Sequence, residues 1–135
     1  MYQNIMVAVA LDHPEHVARA LKVARALLAQ GGRITALHVI EDLPDFVANE
    51  VPAQLLRDRK PNAEADLKAM LEGAPDVTQV VIFGHAGRTL VDYADDSGTD
   101  CIVIASHKPG LQDFFIGSTA QRVVRHATCA VHVLR

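Results

Sequence analysis

Apolar blocks alternate with amphipathic segments along this 135-residue chain, and they predict strands and helices in turn. The run from Ile5 to Leu11 has no polar interruption, which is typical of a strand covered on both faces. The pair Gly31-Gly32 would end the helix that follows, because glycine readily takes the positive φ found at helix C-termini. Apolar residues recur at helical spacing before that pair, at Val17, Leu21, Ala24 and Leu28.

The same alternation continues to the end of the chain. Further apolar runs predict strands over residues 34–40, 77–83, 101–105 and 129–134. Helices are predicted near 52–59, between an Asn62 cap and Gly73, around Leu90 to Ala94, and over 118–127. Elements that alternate in this way predict one α/β domain over residues 1–135, a three-layer, Rossmann-like open sheet of five parallel strands with helices on both faces.

A ligand of such a sheet is expected at the carboxyl ends of its strands. Ligands of open parallel sheets bind there, where the strand order reverses. The loops that reach this edge cover residues 10–14, 39–45, 84–88 and 105–118. We therefore expect the functional site among these four loops.

Composition and charge exclude several function classes. Half of the residues are apolar and the net charge is only −3, so neither disorder nor a basic surface for nucleic acid is indicated. No apolar run approaches the roughly 20 residues of a membrane-spanning helix, and no charged leader precedes Ile5, so a cytoplasmic protein is expected. Cys101 and Cys129 fit no disulfide framework or metal spacing, and we interpret them as free thiols in a reducing compartment.

The segment Gly117-Ser118-Thr119 carries the strongest local signal for binding. Glycine and hydroxyl residues at a helix start offer backbone N–H groups, side-chain donors and the positive end of the helix dipole to an anion such as phosphate. The alternative is that Ser118 only caps the helix, since Gln121 three residues later completes a capping box. The two interpretations are compatible if a ligand takes the N–H groups that the cap leaves over.

The sequence favours binding over catalysis. It has no phosphate-loop Lys-Ser/Thr pair, no G-x-G-x-x-G, no G-x-S-x-G and no carboxylate beside the phosphate loop that could hold a metal and aim water. The protein is therefore not predicted to be an enzyme, although slow ATP hydrolysis stays open. No catalytic residue is predicted.

The pair His13 and His16, with Glu15 between them, has a spacing that can bind a metal ion on one helix face. Exposed histidines in the first turn of a helix are the commoner explanation for such a pair. The sequence therefore predicts no metal site in the protein.

Several segments together resemble the universal stress proteins of the UspA type. The resemblance is strongest near the C-terminus, where Ile104-Ala105-Ser106-His107 is followed by a proline-containing loop and by Gly117-Ser118. The remaining matching segments are Ile5-Met6-Val7-Ala8-Val9, Leu37-His38-Val39-Ile40, the Gly84, Leu90 and Ala94 spacing, Val123-Val124-Arg125-His126-Ala127 and Val131-His132-Val133. The resemblance spans the chain and implies an adenine nucleotide alpha hydrolase-like fold.

This resemblance implies a site for ATP or a related adenine nucleotide, with Mg²⁺ as the ion that would accompany its phosphates. Val39 would meet the adenine through its backbone. The residues that the resemblance and the loop chemistry place at the nucleotide are Ala8, Asp12, Val39, Ile104, Ala105, Ser106, His107, Lys108, Gly117, Ser118 and Thr119.

The chain departs from the nucleotide-binding pattern of the family at three positions. That pattern reads G-x2-G-x9-G-(S/T), whereas Ala105 and Lys108 stand at its first two glycines and the interval to Gly117 is one residue short. Ala10 occupies the place where the family usually has an Asp that meets the nucleotide. Asp12, two residues later, is the candidate to replace that carboxylate.

The resemblance also implies a dimer. The strand predicted at Cys129 to Leu134 must lie at a sheet edge, and in universal stress proteins this strand commonly pairs with its two-fold mate. The expected protein is a homodimeric stress-response sensor or regulator. The alternative is a dimeric protein-interaction module of the same family that binds no nucleotide, and Ala10 favours it.

Overall fold

The computed structural model describes residues 1–106 and 116–135. In these ranges the strands are β1 (Tyr2–Ala8), β2 (Leu28–Glu41), β3 (Val77–Gly84), β4 (Cys101–Ala105) and β5 (Ala130–Leu134). The helices are α1 (Pro14–Leu27), α2 (Asp45–Ala48), α3 (Ala53–Met70), α4 (Ala86–Ser97) and α5 (Ser118–His126).

The five strands form one parallel sheet in the order β3-β2-β1-β4-β5. The chain builds outward from β1 to β3 and then returns to the other side of β1 for β4. The strand order therefore reverses between β1 and β4, which is the place where open parallel sheets bind ligands. The edge position predicted for the last strand is confirmed.

Side chains that alternate along the strands fill two cores, one on each face of the sheet. On one face Ile5 and Val7 pack with buried residues of α1 and α3, such as Leu21 and Leu67. On the other face Met6, Ile102 and Ile104 pack with residues of α4 and α5, such as Leu90 and Val123. The prediction of a parallel sheet between two helical layers is confirmed.

The expected end of α1 at Gly31-Gly32 is wrong. The helix ends at Leu27, and β2 begins at the next residue. The two glycines instead lie in a bulge of β2, where the register with β1 shifts between Tyr2 and Asn4. Gly31 has a φ of 81°, and a Cβ on Gly32 would lie 2.9 Å from the carbonyl oxygen of Gln3, so both positions favour glycine for reasons of strand geometry.

The middle of the chain also differs from its prediction. One helix of 18 residues, α3, replaces the short helix and the separate helix capped by Asn62. Pro61 lies inside it and is exposed, so the backbone carbonyl that loses its partner can face water. Ala63 and Leu67 anchor α3 on the sheet.

The second half of the chain follows the predicted pattern closely. Helix α4 ends at Ser97, and Gly98 adopts the left-handed conformation with a φ of 69°. Strand β4 has the predicted bounds, and β5 begins one residue later than predicted. None of the helices in the described ranges is long and apolar enough to cross a membrane.

Candidate functional site

A cavity of about 490 Å³ opens at the carboxyl ends of β1, β2 and β4. Its volume is within the range of small-molecule binding sites, about 300–1,000 Å³. The β1–α1 loop forms one wall, the end of β2 a second, and the end of β4 with the start of α5 a third. The cavity therefore lies at the point where the strand order reverses.

Most residues that the sequence assigned to a nucleotide line this one cavity. They are Ala8, Asp12, Val39, Ile104, Ala105, Ser106, Gly117, Ser118 and Thr119. His107 and Lys108 lie outside the described residues. The four loops expected to carry the site all contribute to the lining, the loop after β3 through Ala86.

The start of α5 forms the polar wall of the cavity. Gly117 is the N-cap residue, and its carbonyl oxygen accepts the first helical hydrogen bond, from Gln121 N–H at 2.9 Å. The N–H groups of the first turn thus point out of the helix beside the cavity lining of Ser118 and Thr119. Such a turn can donate several hydrogen bonds to an anion.

The predicted capping box of Ser118 and Gln121 is wrong. Ser118 is the first residue of α5, one position beyond the cap, and no side chain makes a cap hydrogen bond there. The hydroxyl that does act at this point belongs to Ser106, whose Oγ accepts a hydrogen bond from Gly117 N–H at 3.0 Å. Ser106 is buried, and its own N–H donates to Leu134 O at 2.7 Å.

The described residues leave open space where a side chain at position 117 would lie. A Cβ added to Gly117 would meet no described atom within 4 Å. Its φ of −57° is accessible to any residue, so neither backbone strain nor contact with a described residue explains the glycine. Within the part of the chain that the structure describes, nothing fills the space beside it at the N-terminus of α5.

His38 is a cavity residue that the site prediction missed. Its Nδ1 lies 2.8 Å from Val9 O, and because a carbonyl only accepts, this nitrogen carries the proton. In the neutral ring, Nε2 is then a hydrogen-bond acceptor. His38 belongs to the segment Leu37-His38-Val39-Ile40, so its position at the end of β2 could have pointed to it.

Glu41 is a second cavity residue that sequence reasoning missed. Its Oε1 accepts a hydrogen bond from Ala86 N–H at 2.9 Å, and its carbonyl oxygen accepts one from Arg59 Nη2 at 2.7 Å. Glu41 therefore links the carboxyl end of β2 to the first residue of α4. It also adds a carboxylate to the cavity wall opposite α5.

The β1–α1 loop has Ala10 at the position where the family pattern has an Asp. Ala10 lines the cavity with an exposed side chain, and its carbonyl accepts from His13 N–H at 3.2 Å. Asp12 also lines the cavity, but its Oδ2 lies 3.5 Å from His13 Nε2. The carboxylate two residues after position 10 therefore lies beside a histidine and is largely exposed.

Comparison with known proteins agrees with this fold. The sequence model of the universal stress protein family matches residues 1–135. One relative is a universal stress protein of Thermus aquaticus, named for its place in the 3′ region of the QAH/OAS sulfhydrylase gene. It is 30% identical over 139 residues, and the alignment covers 100% of each chain.

Solved structures show the same architecture. The universal stress protein UspA from Lactobacillus plantarum aligns with a TM-score of 0.74 at 24% identity, over 99% of this chain and 98% of that chain. A universal stress protein in complex with cAMP aligns with a TM-score of 0.61 at 22% identity, over 99% and 97%. The resemblance seen in the sequence motifs is confirmed, and the chain belongs to the universal stress protein family.

Proposed function

We propose that the protein binds an adenine nucleotide, ATP or a relative of it, in the cavity between β1 and β4, and acts as a cytoplasmic stress-response sensor or regulator. The observation that carries this proposal is the open N-terminus of α5 beside Gly117, at one wall of a cavity of about 490 Å³. A universal stress protein of the same fold has been solved in complex with cAMP.

The phosphates would lie at the first turn of α5. Backbone N–H groups there meet the negative charge together with the Ser118 and Thr119 hydroxyls, which line the same wall. The buried Ser106 hydroxyl accepts from Gly117 N–H and keeps its own proton to donate. These contacts favour a phosphate of any chain length, and Mg²⁺ would neutralise the charge of a longer chain.

The base would lie against aliphatic side chains at the end of β2. Val39, Leu37 and Leu90 supply apolar walls, and the Val39 backbone offers the hydrogen-bonding groups that the family resemblance assigns to adenine. His38 adds a ring whose Nε2 accepts when neutral, which suits the amino group of adenine. No aromatic residue other than histidine lines the described cavity, so stacking contributes little.

Nucleotide release and thermal shift test this proposal. Freshly purified protein is denatured and its supernatant chromatographed for nucleotide, and ATP, AMP and GTP are titrated while the melting temperature is followed. Binding at a hundredfold excess over the dissociation constant adds about 2.7 kcal/mol of stability, a readily measured shift. No released nucleotide and no shift at millimolar ATP or AMP would overturn the proposal.

A second candidate is a protein-interaction module of the same family without nucleotide. Ala10 favours it, because the carboxylate of the usual Asp is absent at that position, and the Asp12 carboxylate two residues later lies near His13. The titration separates the two, since this candidate predicts no shift with any nucleotide. An Ala10→Asp variant that gained a shift absent from the wild type would identify the cause.

We also propose a homodimer through β5. This strand is at the sheet edge, and Val131 and Val133 are only partly buried against the core. The edge toward β4 is fully paired, from Cys101 with Ala130 to Ala105 with Leu134, so the opposite edge is left for a second copy. If the same edge of β5 pairs in both copies, the dimer has two-fold symmetry.

A further inference from the structure

Three potential metal ligands converge where α1 begins. His13 is the residue before the helix, and Pro14, Glu15 and His16 form its first turn. A backbone hydrogen bond from His16 N–H to His13 O, 3.0 Å long, sets this turn. It brings the two imidazole rings together, with their centroids 4.9 Å apart and their planes inclined by 21°.

The Glu15 carboxylate lies close to both rings. Its Oε1 is 3.3 Å from His13 Nδ1 and 3.8 Å from His16 Nε2. One ligand atom from each of the three residues lies within 4.8 Å of the other two. The carboxylate and one nitrogen of each imidazole therefore lie close enough for side-chain rotation to bring them onto one ion.

These separations fit a small divalent ion. A tetrahedral Zn²⁺ with bonds of about 2.0–2.1 Å holds neighbouring ligand atoms roughly 3.4 Å apart. The two distances from the Glu15 oxygen to the ring nitrogens, 3.3 and 3.8 Å, lie on either side of that value. The widest separation has to shrink, which side-chain rotation allows because Glu15 is 62% exposed.

Asp12 adds a feature that is common at metal sites. Metal-ligating histidines usually donate their other ring N–H to a carboxylate, which fixes the ring and the tautomer. While His13 Nδ1 faces Glu15, His13 Nε2 lies 3.5 Å from Asp12 Oδ2. Asp12 is thus placed to act as the outer carboxylate of a carboxylate–histidine–metal arrangement.

We propose that His13, Glu15 and His16 bind a divalent transition metal ion, with Asp12 orienting His13. Two imidazoles and one carboxylate suit Zn²⁺, and also Ni²⁺ or Co²⁺, rather than Mg²⁺, which prefers oxygen ligands. Three protein ligands leave one position of a tetrahedral ion for water or another ligand. His13 and His16 also line the central cavity, so the ion lies at its rim. This proposal is independent of nucleotide binding.

Metal titration of nucleotide-free protein tests the site. Zn²⁺ is titrated by calorimetry, and Co²⁺ is followed by its visible absorption, which reports imidazole and carboxylate ligation directly. One equivalent of either ion should bind, while Mg²⁺ at the same concentration should not compete. His13→Ala and His16→Ala should each raise the Zn²⁺ dissociation constant at least about tenfold, and Asp12→Asn by about tenfold.

His126→Ala is the matched control. His126 is exposed at the end of α5 and is not part of the cavity lining, so its loss removes one histidine and should leave Zn²⁺ affinity unchanged. Circular dichroism of the metal-free variants verifies that they are folded. In the wild type, Zn²⁺ should shift the imidazole NMR signals of His13 and His16, a readout that needs no variant.

Two results would overturn the proposal. One is wild-type protein that binds no Zn²⁺ or Co²⁺ below millimolar concentration. The other is a His13→Ala/His16→Ala double variant that binds as the wild type does, which would place the ion elsewhere. Neither result bears on the nucleotide titration, because both are obtained without nucleotide.

Discussion

The backbone N–H of Gly117 donates a hydrogen bond to the hydroxyl of Ser106, at 3.0 Å. It joins the end of β4 to the N-terminus of α5 across the segment 107–115. The two residues thereby hold the polar wall of the cavity in place. Through the bond from Ser106 N–H to Leu134 O, the edge strand β5 is tied to the same point.

Replacing Ser106 with Ala should weaken this junction. The substitution leaves Gly117 N–H without its acceptor, and a lost hydrogen bond of this kind lowers the free energy of unfolding by about 1 kcal/mol. Urea denaturation measures the change. Ser118→Ala is the matched control, because no side chain caps α5 and Ser118 is exposed. Equal effects of the two substitutions would contradict this role for Ser106.

Replacing Gly117 with Ala should separate binding from folding. The added methyl meets no described atom, so stability should fall by no more than about 1 kcal/mol, the usual difference at an N-cap. The methyl would occupy the space proposed for phosphate, and the dissociation constant for ATP should rise by about tenfold, or 1.4 kcal/mol. Thermal shift with and without ATP measures both effects.

Gly87→Ala gives the opposite pattern and serves as the comparison. A Cβ there would lie 2.6 Å from Arg122 Cδ and 3.0 Å from Arg122 Cβ, so the contact between α4 and α5 would have to shift. We expect lower stability with an ATP affinity near that of the wild type. A Gly117→Ala variant that binds ATP normally would argue against phosphate at this turn.

The β5 dimer can be tested with a single proline. Leu134 O accepts from Ser106 N–H, so the peptide groups of Leu134 face β4, and those of Val133 face the open edge, since neighbours alternate. Val133→Pro removes one outward N–H and should weaken the dimer in sedimentation experiments, whereas Val133→Ala keeps it. A monomeric wild type, or equal association of the two variants, would refute the proposed interface.

The two cysteines should react slowly in the folded protein. Burial raises the pKa of the Cys101 thiol to about 11, and burial also raises the pKa of Cys129. At pH 8 roughly one Cys101 in a thousand would be thiolate, so a disulfide reagent should modify it far more slowly than in denaturant. Fast modification of both thiols in the native protein would contradict this.

The same shift gives a pH dependence. The pKa of Cys101 is raised in the folded state, so the stability linked to its neutral thiol is fully present below the ordinary value of 9.0 and is lost as the pH rises toward about 11. The free energy of unfolding should therefore fall across this window. Cys101→Ala should show a smaller fall, and an identical slope would mean that other groups cause it.

The sequence predicted the fold well where single residues determine the outcome. The helix predicted around Leu90 to Ala94 is α4, and Gly98 takes a left-handed conformation directly after it. The uninterrupted apolar run of β4 became an inner strand, between β1 and β5, that is buried on both faces. These signals lie within short stretches of sequence, so the sequence alone was enough to predict these elements.

Other features depend on contacts that no local pattern reveals. Gly31 and Gly32 look like a helix stop, but their conformation serves a strand bulge set by the pairing with β1. Pro61 looks like a helix break, but an exposed position and the anchoring of Leu67 on the sheet let the helix continue. Tertiary packing overrode local propensity at both places.

The site was predictable as a location more than as a set of contacts. The loops at the carboxyl ends of the strands were identified, since fold class alone fixes where they meet. The bonds of Ser106 with Gly117, His38 with Val9 and Glu41 with Ala86 join residues distant in sequence. Their partners become visible only once the strands are aligned.

The reversal of strand order between β1 and β4 has a consequence for motion. One side of the cavity comes from β1, α1 and β2, and the other from β4 and α5, which are built from opposite ends of the chain. A bound molecule would therefore clamp the two halves together. Amide hydrogen exchange should then slow in both halves when the ligand is added. The β5 edge would become more rigid when the cavity is filled, without any change of shape.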